Sequence, residues 1–397
     1  MSNRPTIRLR PKTDPRRIKR GFPWVYHNEV VLDRRSRSLS PGTIATLEDA
    51  DRKPLGTVAV NPQSKIVGRM LDRDPEVLID ADWLTRHVTN ALSLRDQLYE
   101  APFYRLIHAE ADGLPGTIVD RFGETVVFQP NAAWIDGLAD DFAAVLGALP
   151  GVTTVVKNAS GRARALEGLD DASAILQGKV EGVVPVPMNG ATYMADLMGG
   201  QKTGLFFDQR PNQAFVAGLA KGTEVLDVFS HVGGFALAAL ANGATRALAV
   251  DAAEPALELA RQGAEAMGVS DRFQTRKGDA FDVLGALKDE GATFGTVICD
   301  PPAFAPAKPA VEAGLRAYEK LARMATPLVA PGGTLTLCSC SHAAGIEAFR
   351  TASLRGIARA GGQAQVLRVG YAGPDHPLHP ALAESGYLKA ITVRLLP

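Results

Sequence analysis

Between residues 223 and 341 short apolar runs alternate with helical segments, and four successive runs each deliver an aspartate at or just beyond their end. "TEVLDVFS" reads as a strand running into "HVGGFALAALANGA", a small-residue turn and helix. "RALAVDAA" followed by "EPALELARQGAEAMGV" repeats the pattern. "RFQTRKGDAF", "FGTVICDPPAF" and "GGTLTLCSCS" supply three further strands. Parallel neighbours need a crossover long enough to hold a helix, so this alternation specifies βαβ units and a parallel sheet. "AQVLRVG" and "GYLKAITVRLL" read as two more strands in hairpin-like succession.

In open α/β sheets ligands bind beyond the carboxyl ends of the strands. Here those ends carry Asp227, Asp251, Asp279 and Asp300, spaced 24, 28 and 21 residues apart, and the fifth strand ends in cysteines. Aspartate is common in such loops as a turn former or helix cap. One or two would mean nothing; the whole series is more specific. An acid at Asp251 downstream of a glycine-rich turn suits ribose hydroxyls. The turn "SHVGGFALA" lacks the G-x-G-x-x-G spacing of a dinucleotide site, although Gly233 and Gly234 allow close backbone approach.

A chain of 397 residues exceeds one small domain. Residues 1–75 read as a small β domain. "GTIATLED" and "PLGTVAVN" alternate apolar and polar positions across a turn, and "KIVGRMLD" is a third strand. Residues 76–190 form a mixed α/β central domain. It begins with a helix capped by Asp80 or Asp82 and continues through hairpin turns at 112–116 and 122–124. "WIDGLADDFAAVLGALPG" is expected to be one helix, and "GVTTVVKN" a strand. Residues 191–397 form the third domain.

Net charge is zero, yet residues 1–20 hold eight Lys/Arg, including Arg16, Arg17 and Arg20, against the single acid Asp14. Such a block suits phosphate contact or a solvated tail. The aromatics of "GFPWVYH" directly behind it favour nucleic acid. No apolar run reaches the length of a membrane span, and "MSNRPTIRLRPK" has no apolar core of a secretory signal. Three cysteines argue against a disulfide framework and for a reducing, cytoplasmic setting. No second Cys/His cluster has zinc spacing, so no metal site is expected.

The rim pattern resembles class I S-adenosylmethionine-dependent methyltransferases, which implies a Rossmann-like third domain and S-adenosyl-L-methionine as cofactor. The resemblance implies that the Asp227–Phe235 turn, with Phe229, Ser230, Gly233 and Gly234, wraps the methionine part. It places Asp251 on the ribose and Asp279 on the adenine amino group, with Phe281 beside the ring. In relatives acting on nucleobases, a segment like "ICDPPAF" holds the flipped base. Asp300 would bond the base edge, Pro301 and Pro302 would stiffen the loop, and Phe304 would stack. "GGQKTGLFFDQRPNQ", "LDVFSHVGGFALAAL", "CDPPAFAPAK" and "CSCSH" are similar to the RlmI family of 23S rRNA cytosine-5 methyltransferases. "PWVYHNEV" and "PGTIATLEDADRKPLGTVAVNPQSKIVGRML" resemble that family's N-terminal PUA RNA-binding domain, and "EADGLPGTIVDRFG" its central domain. Lys202, Asp208 and Arg210, just before the first strand of the third domain, would then close over cofactor or RNA. The implied partner is 23S rRNA or a large-subunit precursor, with a second copy of the chain as a further candidate. Relatives that methylate guanine, and a non-catalytic RNA-binding assembly factor with the same fold, remain alternatives.

Cytosine-5 chemistry explains "LCSCSH". Carbon 5 of cytosine is a poor nucleophile until a thiolate adds at carbon 6, and cysteine suits that role. Cys340 lies nearer the rim, and the family's Ser-Cys-Ser motif aligns on it. Cys338 sits deeper and Cys299 lies within a strand, where packing is the default reading. Another group of RNA cytosine-5 enzymes has a second cysteine after the Asp-Pro-Pro; here that position is Ala303. Proton removal from carbon 5 then falls to another base, Asp300 or water. His342 is read as structural, with proton acceptor as the alternative.

Overall fold

The computed structural model describes residues 4–199 and 204–397. The chain forms two compact units. One comprises residues 1–182, 196–204 and 374–382; the other comprises 183–195, 205–373 and 383–397.

In the first unit, β1 (Thr6–Leu9), β2 (Trp24–Tyr26), β3 (Val30–Val31), β4 (Thr43–Glu48), β5 (Pro54–Val60) and β6 (Ile66–Asp72) build a six-stranded sheet in the order β2-β6-β5-β4-β1-β3. Inward positions such as Ile7, Leu9, Val25, Ala45, Leu47, Val58 and Val67 make its core. They lie two apart along the strands, as one buried face of a pleated sheet requires. The three strands read from the sequence are β4, β5 and β6; β4 and β5 form the expected hairpin, and β6 pairs antiparallel with β5. Asp80 caps the helix Ala81–Leu98 by accepting from the Trp83 amide. A second sheet contains β7 (Phe103–His108), β8 (Thr117–Phe122), β9 (Thr125–Pro130), β10 (Thr154–Lys157) and β11 (Ala174–Gln177) in the order β11-β10-β9-β8-β7.

The expected helix over "WIDGLADDFAAVLGALPG" is two pieces, Ala133–Asp136 and Ala139–Gly147. Gly137 sits between them, and Leu138 leaves helical geometry with φ −108° and ψ 20°. Glycine has little intrinsic preference for a helix interior, so packing decides where the break falls. Trp134 and Ile135 on one piece and Phe142 and Leu146 on the other all enter one core.

The second unit opens with the hairpin β12 (Val184–Met188) and β13 (Ala191–Ala195). Its main sheet holds β14 (Glu224–Val228), β15 (Arg246–Asp251), β16 (Phe273–Lys277), β17 (Phe294–Cys299), β18 (Val329–Ser339), β19 (Ala364–Gly370) and β20 (Lys389–Leu395). The order is β16-β15-β14-β17-β18-β20-β19. The first five strands are parallel, and β20 runs antiparallel to both neighbours. β14 from Val225 to Val228 and β17 are almost wholly buried because helices cover both faces of a parallel sheet. The helix Gly234–Ala241 is buried from Phe235 to Leu240, which its small, uniformly apolar sequence permits. Strand order reverses between β14 and β17, so the carboxyl ends of these strands flank the topological switch point where such sheets bind ligands.

Candidate active site

Asp227, in β14, is fully buried. Its Oδ2 accepts from the amides of Phe235 (3.1 Å) and Ala236 (2.9 Å) at the start of the helix Gly234–Ala241. Its Oδ1 has no partner, and neither do the buried Ser230 Oγ and Gln213 Oε1. Burial pushes the Asp227 carboxyl up to about 7; the two amides hold it down in part, and the Asp251 charge raises it again.

The turn after β14 is strained. Phe229 (φ 63°) and His231 (φ 50°) are left-handed without being glycine, and Gly233 (φ 79°) follows. Each such non-glycine residue costs on the order of 1–3 kcal/mol, which surrounding bonds must offset. The Ser230 amide donates to Val250 O (3.0 Å), and the His231 amide donates to Asp251 Oδ2 (2.8 Å). A Cβ at Gly234 would stand 2.8 Å from Gln213 Nε2, so a larger residue here would push that side chain aside.

Asp251 ends β15 half-buried, and its Oδ1 accepts from the Ala253 amide (2.9 Å). Asp279 is exposed and caps the helix Ala280–Asp289, accepting from the amides of Phe281 and Asp282. Half-buried Phe281 stacks towards Phe304 (6.3 Å between centroids), and the Lys320 ammonium lies 4.5 Å from its ring centre.

Across the switch point, Asp300 follows β17 half-buried, Pro301 is buried and Pro302 exposed. Cys340 follows β18, and its thiol lies 3.9 Å from the carbonyl oxygen of Pro301. The two motifs are thus brought together although 39 residues separate them. Of the three cysteines, Cys299 and Cys338 are buried and Cys340 is half-buried. Burial pushes both buried thiols up, and the nearby carboxylates Asp227 and Asp300 push the same way. Neither forms a thiolate readily, which leaves Cys340 as the accessible sulfur. His342 is exposed.

The serines flanking Cys340 point the other way and are fully buried. Ser339 Oγ and Ser341 Oγ each lie 2.9 Å from the Tyr318 hydroxyl, and Ser341 Oγ accepts from the Ala305 amide (2.9 Å). The loop 301–305 is therefore fastened to the cysteine turn at both its ends. Phe304 packs on Tyr318 at 4.9 Å between centroids. From β20, the Lys389 ammonium donates to Ser341 O (2.6 Å) and Ala344 O (2.8 Å).

Asp208 is buried and accepts from the Tyr387 hydroxyl (2.6 Å), so its carboxylate is engaged within the fold. Arg210 begins the helix Arg210–Leu219, with its guanidinium 5.6 Å from the Phe207 ring centre. Lys202 lies outside the described residues.

In the first unit, Arg16 and Arg20 are exposed. Arg17 is committed internally: it grips both oxygens of Glu29 (2.6 and 2.7 Å) and lies 4.0 Å over Phe22. Phe22, Trp24 and Tyr26 form one aromatic cluster with centroids 6.3–6.4 Å apart. Beside it lies a cavity of about 430 Å³ lined by Arg20, Phe22, Arg73, His87 and His379, among others. Among the described residues no group of three or more His, Cys, Asp and Glu could hold a metal ion, and no helix is long and apolar enough to cross a membrane.

Sequence reasoning missed Gln213, Tyr318, Ser339, Ser341 and Lys389. Only Lys389 left a readable signal, as a lone cation inside the apolar run "GYLKAITVRLL". The others are ordinary residues at ordinary positions until the strands are paired.

The orphaned Asp227 Oδ1 and Ser230 Oγ, the glycine-lined turn, the rim acid Asp251 and the aromatic Phe281 fit S-adenosylmethionine. These residues would hold, in turn, a cationic amino-acid end, ribose hydroxyls and an adenine ring. Comparison with known proteins agrees on the cofactor. Residues 142–378 match the family of S-adenosylmethionine-dependent methyltransferases, and residues 7–73 match a PUA-like domain. The chain is 33% identical to a ribosomal RNA large subunit methyltransferase of Deinococcus radiodurans, over 99% of this chain and 98% of that one. It is 31% identical to ribosomal RNA large subunit methyltransferase I of Shewanella denitrificans, over 98% and 99%. Its fold is similar to that of an S-adenosylmethionine-dependent methyltransferase from Streptococcus mutans, with a TM-score of 0.82 at 21% identity, over 98% of this chain and all of that one.

Proposed function

The chain belongs to the S-adenosylmethionine-dependent methyltransferase family, and from that premise we propose that it methylates carbon 5 of a cytosine in 23S rRNA through a transient bond to Cys340. The relatives named as large-subunit ribosomal RNA methyltransferases support the RNA substrate. The observation that carries the chemistry is the approach of the Cys340 thiol to the Pro301 carbonyl, which sets a half-buried sulfur against the Asp-Pro-Pro loop.

The Cys340 thiolate adds to carbon 6 of the base and pushes electron density onto carbon 5. S-adenosylmethionine, when bound, would supply the electrophilic methyl group for carbon 5, with S-adenosylhomocysteine as the leaving group. The proton on carbon 5 then leaves to Asp300 or a water, and the carbon 6–sulfur bond breaks to restore the thiolate. Asp300 holds the base edge, while Pro301 and Pro302 keep the loop from collapsing into the vacated stack. Phe304 offers a ring face whose orientation is set by its contact with Tyr318. The exposed Arg16 and Arg20, with the Phe22–Trp24–Tyr26 cluster, contact RNA through phosphates and stacking.

The test is to methylate 23S rRNA lacking the modification with isotope-labelled S-adenosylmethionine and to identify the labelled nucleoside by mass spectrometry. 5-Methylcytidine is expected. Labelled methylguanosine, or no labelled nucleoside, overturns the reading.

A further inference from the structure

Lys389 is 3% exposed, and its ammonium donates to two neutral carbonyls, Ser341 O and Ala344 O. Among the described residues no carboxylate forms an ion pair with it. A buried cation is costly unless an anion or dense hydrogen bonding compensates it. Two neutral acceptors leave one of its three N–H groups and its whole net charge unbalanced. Lys389 stands opposite Ser339 in the β18–β20 register, so it sits one residue from Cys340 across the pair. Both carbonyls it binds belong to the turn that presents the thiol.

We propose that Lys389 is a positioning residue for Cys340, whose buried ammonium pins the Ser341–Ala344 turn and serves as the counter-cation of the thiolate. The inference rests on the covalent reading above and deepens it. When the thiol ionises, its proton passes to solvent and the S⁻ forms next to the Ser341 carbonyl that the ammonium holds, so the cation, otherwise bonded only to neutral carbonyls, gains an anion nearby. Among the described residues, the carboxylates and neutral groups near the sulfur do not supply that positive charge. Asp300 beyond β17 and Asp227 on β14 are carboxylates that oppose ionisation of the neighbouring thiols. Tyr318, on the helix Val311–Ala325, and Cys338 on β18 are neutral at pH 7, and His342 is exposed. The mutual attraction has the expected sign from the lysine's side: burial lowers the Lys389 ammonium, and Cys340 raises it. Tyr318 completes the device by gripping the two serines that flank Cys340, Ser339 being the residue opposite Lys389 in the strand pair.

The experiment follows alkylation of Cys340 by iodoacetamide between pH 5.5 and 9.5 in the full chain, with the modified cysteine assigned by peptide mass mapping. Lys389→Met should raise the apparent thiol pKa by at least one unit and slow alkylation at pH 7 about tenfold. Lys389→Arg should keep both near wild type. Equal titration curves for wild type and Lys389→Met overturn the proposal. If the methionine variant does not fold, the reciprocal measurement decides. In Cys340→Ser the Lys389 ammonium, followed by NMR, should titrate at lower pH than in wild type, and an unchanged value overturns the proposal. Because the readout is thiol ionisation rather than methyl transfer, it separates the two ideas. A lysine-dependent titration in a protein whose Cys340→Ser variant still methylates RNA would uphold Lys389 and sink the covalent mechanism.

Discussion

The Cys340 thiol faces the Pro301 carbonyl at 3.9 Å, while the next residue, Ser341, receives the Ala305 amide on its hydroxyl at 2.9 Å. Successive residues of one turn thus hold the two ends of the Asp-Pro-Pro loop. Any change that moves the loop moves the sulfur with it.

RNA carrying 5-fluorocytosine at the target should trap the enzyme, because fluorine cannot leave as a proton does. The adduct should survive denaturing electrophoresis and require S-adenosylmethionine. Cys340→Ser should abolish adduct and turnover, since a hydroxyl ionises far less readily than a thiol with a pKa of about 8.5. Cys338→Ser should keep both, with a stability loss of about 1–2 kcal/mol from burying a hydroxyl. An adduct retained in Cys340→Ser would move the nucleophile elsewhere.

Asp251→Ala should weaken S-adenosylmethionine binding by roughly 1.5–3 kcal/mol, the scale of a lost hydrogen bond to a charged group. It also releases the His231 amide, so the strained turn loses one of its ties. Calorimetric titration measures the affinity, and an unchanged value would remove Asp251 from the site.

Asp227 gives a stability slope of defined sign. Its folded pKa, about 7, lies above the ordinary aspartate value of 3.8. The folded state therefore holds a proton that the unfolded chain gives up. The contribution is fully present below about pH 4 and is lost as pH rises to about 7, by a few kcal/mol at about 1.4 kcal/mol per unit. Asp227→Asn keeps an acceptor for the Phe235 and Ala236 amides but cannot ionise. Urea unfolding at several pH values between 4 and 8 should show the decline in wild type and its absence in the variant. Parallel curves would mean that Asp227 does not titrate in this window.

Arg69 pairs with Glu110 (3.1 Å) and Glu167 (2.9 Å), and all three side chains are at most 13% exposed. Asn61 and Ser64 also donate to Glu167. Arg69→Met strands two buried carboxylates and should destabilise the first unit by about 3–5 kcal/mol. Denaturant unfolding reads this directly; a loss under 1 kcal/mol would mean that water already screens the cluster.

Replacing Arg16, Lys19 and Arg20 together by alanine should weaken RNA binding and flatten its log–log salt dependence by about 2 units, since up to three phosphate contacts are lost. Arg17 is left intact because it serves Glu29 and Phe22. Filter binding over a salt series is the measurement, and an unchanged slope would place the RNA contact on another surface.

The parallel sheet, the rim aspartates and the cysteine beyond β18 were readable because each depends on local periodicity and on the rule that strand ends bind ligands. So was a helix cap at Asp80 or Asp82, which needs only a short polar side chain before an apolar helical face; the structure settles it as Asp80. The order β16-β15-β14-β17-β18-β20-β19 was not readable, nor was the break at Gly137. Both are settled by which faces pack, a sum over residues far apart in sequence. The roles of Arg17 as Glu29's partner and of Asp208 as Tyr387's acceptor also appeared only in three dimensions.

By itself the sequence determined which residues could do chemistry: one cysteine near a rim, a stiff Asp-Pro-Pro loop, and acids at strand ends. Tertiary structure alone decided which of them meet, and under what charge. Burial makes two of the three thiols reluctant to ionise, and the pairing of β18 with β20 carries Lys389 to the turn that presents the third. Burial and through-space charge depend on distances between chain segments, and a string of residue types does not contain those distances until hydrophobic packing has fixed the fold.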